Sequence, residues 1–116
     1  MDTETMALEK LNEALARARR HDPDMGIHDL MAVLLIGKRE LAHKPITQSD
    51  LGRDLGLTVP TKSRVVSRLK AEGTLGKPGL GLIRQEIDES NRRERLLTLT
   101  QKGRKFVSEV VAALTR

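Results

Sequence analysis

The chain has 116 residues, no cysteine, a single aromatic residue (Phe106) and a net charge of +5. That length suggests one domain spanning 1–116 with its own core. The missing thiols exclude a disulfide framework, a thiolate metal site and a redox switch, and fit a cytoplasmic setting. The positive charge is concentrated. Residues 1–44 hold seven Lys/Arg against eight Asp/Glu, whereas residues 45–105 hold thirteen against seven. A local basic surface favours a polyanionic partner such as nucleic acid, although charge alone fits a solvated basic face equally well.

The start, MDTETMALEK, is polar and acidic, unlike a secretion signal, and no apolar run approaches the roughly 20 residues of a membrane span. No membrane partner is expected. Leu8, Leu11, Leu15 and Ala18 recur at helical spacing and predict a helix over 3–20, capped by Asp2 or Thr3. The stripe is narrow, suited to this chain's own core or to a second copy. His21-Asp22-Pro23-Asp24 ends that helix. Ile27, Leu30, Met31, Leu34, Leu35 and Leu41 define a second helix over 26–43, predicted to be the most buried.

Thr47 is the N-cap of a short third helix, with Asp50 three residues on resembling a capping box and Leu51 and Leu55 as its apolar edge. Gly56 supplies a left-handed turn. Thr58 caps a fourth helix whose first turn tolerates Pro60. In it Val65, Val66 and Leu69 face inward, and Thr61, Arg64, Ser67 and Arg68 gather on the opposite side; Gly73 is a candidate C-cap. The segment 74–81 holds three glycines and a proline and reads as a flexible connector. Residues 82–88 and 93–99 have strand character and flank the turn composition ESNR, which predicts a hairpin. Thr100 starts a last helix over 100–115, with Phe106, Val107, Val110, Val111 and Leu114 on one face. The expected fold is mostly α with a small β-hairpin, in the order α-α-α-α-β-β-α.

A helix–turn–helix at 47–72 followed by a basic hairpin, or wing, at 82–99 is a device for reading duplex DNA. The second helix of the pair fits the major groove, and the wing reaches the backbone or the neighbouring minor groove. LGLTVPTKSRVVSRLKAEG (55–73) and GLIRQEIDESNRRERLLTLTQKG (81–103) resemble the turn, recognition helix and wing of the MarR family of winged helix–turn–helix transcription regulators. The wing carries the family's paired arginines at Arg92-Arg93 and its Leu-Thr-x-Lys-Gly lead-in to the closing helix at Leu99 to Gly103.

The resemblance implies four zones of DNA contact. Gln48 and Thr58 would meet phosphates at helix starts. Thr61, Lys62, Arg64 and Arg68 would lie in or beside the major groove. Arg92 and Arg93 would sit at the wing tip, with Arg93 the better minor-groove candidate. Arg84 and Arg95 would add backbone contacts. The apolar stripes at 8/11/15/18 and 107/110/111/114 exceed what one small domain is expected to bury, so a homodimer built on 3–20 and 100–115 is expected, binding a near-palindromic site as a nucleoid-associated repressor.

The chain departs from the pattern in four places. Lys62 stands at a usually apolar position, and Asn91 replaces the wing aspartate. The connector after Gly73 is about eight residues longer. A further C-terminal helix is missing, which argues against an aromatic small-molecule effector. No phosphate-binding glycine loop or Ser/His/Asp set is present, so neither an enzyme nor a cofactor is expected. An architectural or partition protein coating repeated plasmid or phage sites, and a winged-helix adaptor docking an acidic protein, are the competing readings.

Overall fold

The computed structural model describes residues 2–73 and 76–115. Thr74 and Leu75, the first two residues of the predicted connector, lie outside the described residues. Five helices and three strands follow in the order α1 (Thr3–His21), α2 (Ile27–Leu41), β1 (Ile46–Thr47), α3 (Gln48–Leu55), α4 (Val59–Leu69), β2 (Ile83–Ile87), β3 (Arg95–Leu99) and α5 (Gln101–Ala112).

Helix starts follow local chemistry. Asp2, Thr47, Thr58 and Thr100 each accept a backbone N–H three residues on, satisfying a donor that the helix itself leaves unpaired. At Thr47 the reciprocal half of the capping box is absent, because the Asp50 carboxylate pairs with Arg53 instead. The core gathers Val33 and Ile36 from α2, Leu51 from α3, Val65 and Leu69 from α4, Ile83 and Leu97 from the sheet, and Phe106 from α5.

The sheet is antiparallel with order β1-β3-β2, one strand more than the predicted hairpin. Ile46 pairs with Leu97 and Thr47 with Leu96. Two residues are too few to show an alternating pattern, so Ile46 reads in sequence only as an apolar residue ahead of a cap. The predicted apolar faces also need correction. Ile27 is 63% exposed, Met31 45% and Leu41 81%, so the second helix buries a narrower face than its periodicity suggests. On α1, Ala14 and Ala18 are buried but Leu8, Leu11 and Leu15 are exposed.

The connector after α4 folds back onto the helix. The N–H groups of Gly79, Leu80 and Leu82 donate to the carbonyls of Ala71, Arg68 and Leu69 at 3.0, 2.8 and 2.8 Å. The carbonyls of Arg68 and Leu69 are among those a helix end leaves unpaired. A Cβ on Gly79 would stand 1.6 Å from the Lys70 carbonyl oxygen, so only glycine allows this approach. The helix therefore closes at Lys70, in extended conformation, and not at Gly73. Gly73 has a φ of 64° further into the loop.

Candidate nucleic-acid interface

Two helices meet at a tight corner. Gly56 (φ 67°) ends α3 in the left-handed region, and the Leu57 N–H donates to the Gly52 carbonyl at 2.8 Å. Thr58 then opens α4. Its Oγ1 accepts from the Thr61 N–H at 3.3 Å and donates to Thr61 Oγ1 at 3.0 Å. The half-buried Lys62 does more than turn its head outward. Its stem covers Gly52, where a Cβ would fall 2.6 Å from Lys62 Cδ. The methylenes seal the α3–α4 corner in place of an apolar side chain.

Val65, Val66 and Leu69 are buried, so the opposite face of α4 looks outward. Arg64 is exposed, and its one side-chain hydrogen bond among the described residues is a 3.5 Å approach to Thr61 Oγ1. Val59, 69% exposed at the first turn, is an apolar group the sequence reading passed over. A methyl there suits a thymine methyl in a major groove. Arg68 differs from Arg64. Its Nε donates to Asp29 Oδ1 and Oδ2 at 3.2 and 3.0 Å, and its Nη2 donates to Oδ1 at 2.8 Å. This bond holds the Arg68 pKa above the ordinary guanidinium value. The sequence places Arg64 and Arg68 together as free cations; the structure leaves only Arg64 so.

The wing is bonded to the helices at its base. Ser49 Oγ donates to both oxygens of Glu94 at 2.6 and 2.7 Å. Lys70 Nζ donates to Gln85 Oε1 at 3.1 Å, and Gln85 in turn donates its amide to Gln48 Oε1. The Gln48 NH2 makes no hydrogen bond among the described residues. Neither Gln85 nor Glu94 stands out in the sequence.

At the tip, Asp88 accepts from the Ser90 hydroxyl at 2.6 Å and the Ser90 N–H at 2.9 Å, and these bonds hold its carboxyl below the usual carboxylate range. Asn91 Oδ1 accepts the Arg93 N–H at 3.3 Å, so the amide still organises the turn where an aspartate was expected. Arg92 pairs with Glu89 at 2.9 Å. Arg95 donates to the carbonyls of Arg92 and Glu94 at 3.1 and 3.2 Å, which makes it a brace of the hairpin. Arg84 on β2 and Arg93 at the tip are exposed, and neither side chain has a hydrogen-bond or ion-pair partner among the described residues. No helix among those residues is long and apolar enough to cross a membrane.

This arrangement of five helices around a short sheet recurs in solved structures. The S. aureus MepR–DNA complex superposes with a TM-score of 0.71 at 19% identity, covering 96% of this chain and 80% of that one. MarR gives 0.64 at 18% identity, covering 98% of this chain and 76% of that one. RV1404 from Mycobacterium tuberculosis gives 0.67 at 25% identity, covering 88% of this chain and 61% of that one. The chain has a MarR-like winged-helix fold. No protein-family model and no curated protein sequence matches it.

Proposed function

We propose that the chain is a sequence-specific, double-stranded DNA-binding transcription regulator. One observation carries the reading. An outward face of α4 bearing Arg64 stands on the same framework as a wing whose Arg84 and Arg93 lack hydrogen-bond and ion-pair partners among the described residues. The fold supports it, since the neighbouring structures include MepR in complex with DNA and AbfR bound to DNA. Arg64, Thr61 and the Lys62 ammonium serve the major groove, with Val59 beside them. Arg93 serves the minor groove, and Arg84, Gln48 and Thr58 serve the backbone; Arg92 joins them by exchanging its exposed partner Glu89 for a phosphate, an exchange open to a surface pair. Arg95 acts through the hairpin it braces.

The functional unit is a homodimer. The C-terminal half of α1 packs on α5: Ala14 and Ala18 are buried, Arg17 donates to the Glu109 carbonyl at 2.9 Å, and His21 pairs with the Glu109 carboxylate at 2.7 Å. Its first two turns, residues 3–9, are exposed throughout. Its apolar stripe is therefore left uncovered among the described residues, and a second copy is the partner proposed for it. Leu8, Leu11 and Leu15 of α1, with Val111 and Leu114 beside α5, are all at least 40% exposed and offer that copy a surface. Two copies present two recognition helices about one helical turn apart, which selects a near-palindromic site. Seated across a promoter on the nucleoid, such a dimer excludes polymerase, so the proposed output is repression.

Selection of bound duplexes from a random pool at physiological salt tests this. A palindromic winner and a dimeric mass by light scattering support the proposal. Recovery of no preferred sequence, or a monomeric mass on the selected duplex, refutes it. Long cooperative footprints would point instead to an array-coating protein.

A further inference from the structure

Asp29, 3% exposed, is the one buried charged residue among the described residues. It lies in the first turn of α2, far in sequence from the recognition helix, and gives both carboxylate oxygens to Arg68. We infer that Arg68 serves the interface as a positioning residue, clamped by Asp29, and contributes neither a phosphate nor a base contact. This inference rests on the DNA-binding reading above.

Three features carry it. The first is charge. With Arg68 Nη2 2.8 Å from Asp29 Oδ1, an approaching phosphate meets a neutral ion pair and not a free cation. An arginine already neutralised releases no further counterion from DNA, so it adds nothing to the salt dependence. The second is geometry. A carboxylate and a guanidinium meeting through several parallel bonds fix each other's orientation as well as their distance. The third is location. The start of α4 is held by the Thr58 cap and by the Lys62 stem on Gly52. Its end is held by Arg68 twice, through the side chain on Asp29 and through the backbone carbonyl, which accepts from Leu80 N–H at 2.8 Å. Two anchors at opposite ends, one on α3 and one on α2, set the pitch of the helix, and with it the direction in which Arg64 points. Removing Arg68 alone would leave the buried Asp29 side chain without its partner, which is strongly destabilising.

The test compares Asp29→Asn, Arg68→Met, Arg68→Lys and the Asp29→Asn/Arg68→Met double variant, using the duplex that the parent recovers from a random pool. Dissociation constants are measured from 50 to 300 mM KCl. Asp29→Asn and Arg68→Met are each expected to weaken binding about tenfold, leaving the slope of log K against log salt at the parent's value. Arg68→Lys keeps the charge but loses the fork, and should not restore affinity. The double variant should be no weaker than either single one, since both changes remove the same contact. It also leaves no buried charge, which guards against a single variant that fails to fold. A slope reduced by about 0.9 per protomer in Arg68→Met is the signature of a phosphate contact and overturns the inference. So does tighter binding by Asp29→Asn, or losses that add in the double variant.

Hydrogen exchange without DNA separates the clamp from the wider reading. Amides 65–70 should exchange faster in Asp29→Asn and at the parent's rate in Arg64→Ala. Unchanged rates in Asp29→Asn sink the clamp. A parent that binds no duplex, with the clamp intact by exchange, sinks the DNA-binding reading alone.

Discussion

Replacing Gly103 by alanine should destabilise the protein although alanine favours helices. Gly103 is the third residue of α5, and its Cα lies against the chain entering β2. An added Cβ would stand 2.0 Å from the Leu82 carbonyl oxygen and 3.0 Å from its carbon. Ordinary contact begins near 3.4 Å, so helix and loop must part by about 1.4 Å. The same Leu82 oxygen accepts the Thr100 N–H at 3.0 Å, and parting stretches that bond. Losing one such hydrogen bond costs about 1 kcal/mol. Overpacking against backbone adds about 1–3 kcal/mol. The better helix propensity of alanine returns about 0.5–1 kcal/mol. The net loss is about 1–3.5 kcal/mol. At about 4 °C per kcal/mol for a chain of this size, Tm should fall by about 4–14 °C in a circular-dichroism melt. The exposed neighbour Lys102→Ala is the control and should stay within about 0.5 kcal/mol of the parent. A Gly103→Ala protein that melts with the parent, or above it, refutes the close-approach argument.

Arg64→Ala should weaken duplex binding by about 1–3 kcal/mol in a fluorescence titration, with Tm unchanged, since its guanidinium contributes no internal bond beyond the long approach to Thr61. Arg93→Ala should also lose affinity, but base preferences in a repeated selection should shift less than for Arg64→Ala. If both variants bind like the parent, the assignment of these arginines fails. Thr58→Ala removes the cap of α4 and should cost about 1 kcal/mol in urea denaturation. Acid should loosen the junction of α1 and α5. The hydrogen bond from His21 holds the Glu109 pKa below its ordinary value of 4.5. Its contribution to stability is therefore full above that value and lost as pH falls through the lower folded value. The parent's Tm should drop between pH 5 and pH 3 by more than that of Glu109→Gln; equal acid sensitivity would remove Glu109 from the account.

Helix starts were legible because a cap is a local signal: Thr47, Thr58 and Thr100 each act within three residues of themselves. The glycine turn at Gly56 was legible for the same reason. Periodicity, by contrast, reports that a face is apolar and not what covers it. Leu8, Leu11 and Leu41 fit the pattern of buried positions as well as Val33 and Ile36 do, yet they lie on the surface. At the candidate interface the positions of the arginines could be read from the sequence, but their commitments could not. Arg68 and Asp29 are 39 residues apart, Ser49 and Glu94 45, and Lys62 acts on a glycine of another helix. Such pairings depend on how helices pack, which no local pattern encodes. The connector after Gly73 looked slack from its glycines, although Gly79 is there to let two backbones touch.

The strand order has a mechanical consequence. Because β3 lies in the middle, hydrogen-bonded to β1 on one side and β2 on the other, it cannot swing as a free flap. β1 runs directly into α3, which ties the middle strand to the helical body. Under the proposed DNA-binding role, any adjustment to a wider or narrower groove therefore has to come from the seven residues 88–94 between the strands, bending like a fingertip on a rigid knuckle.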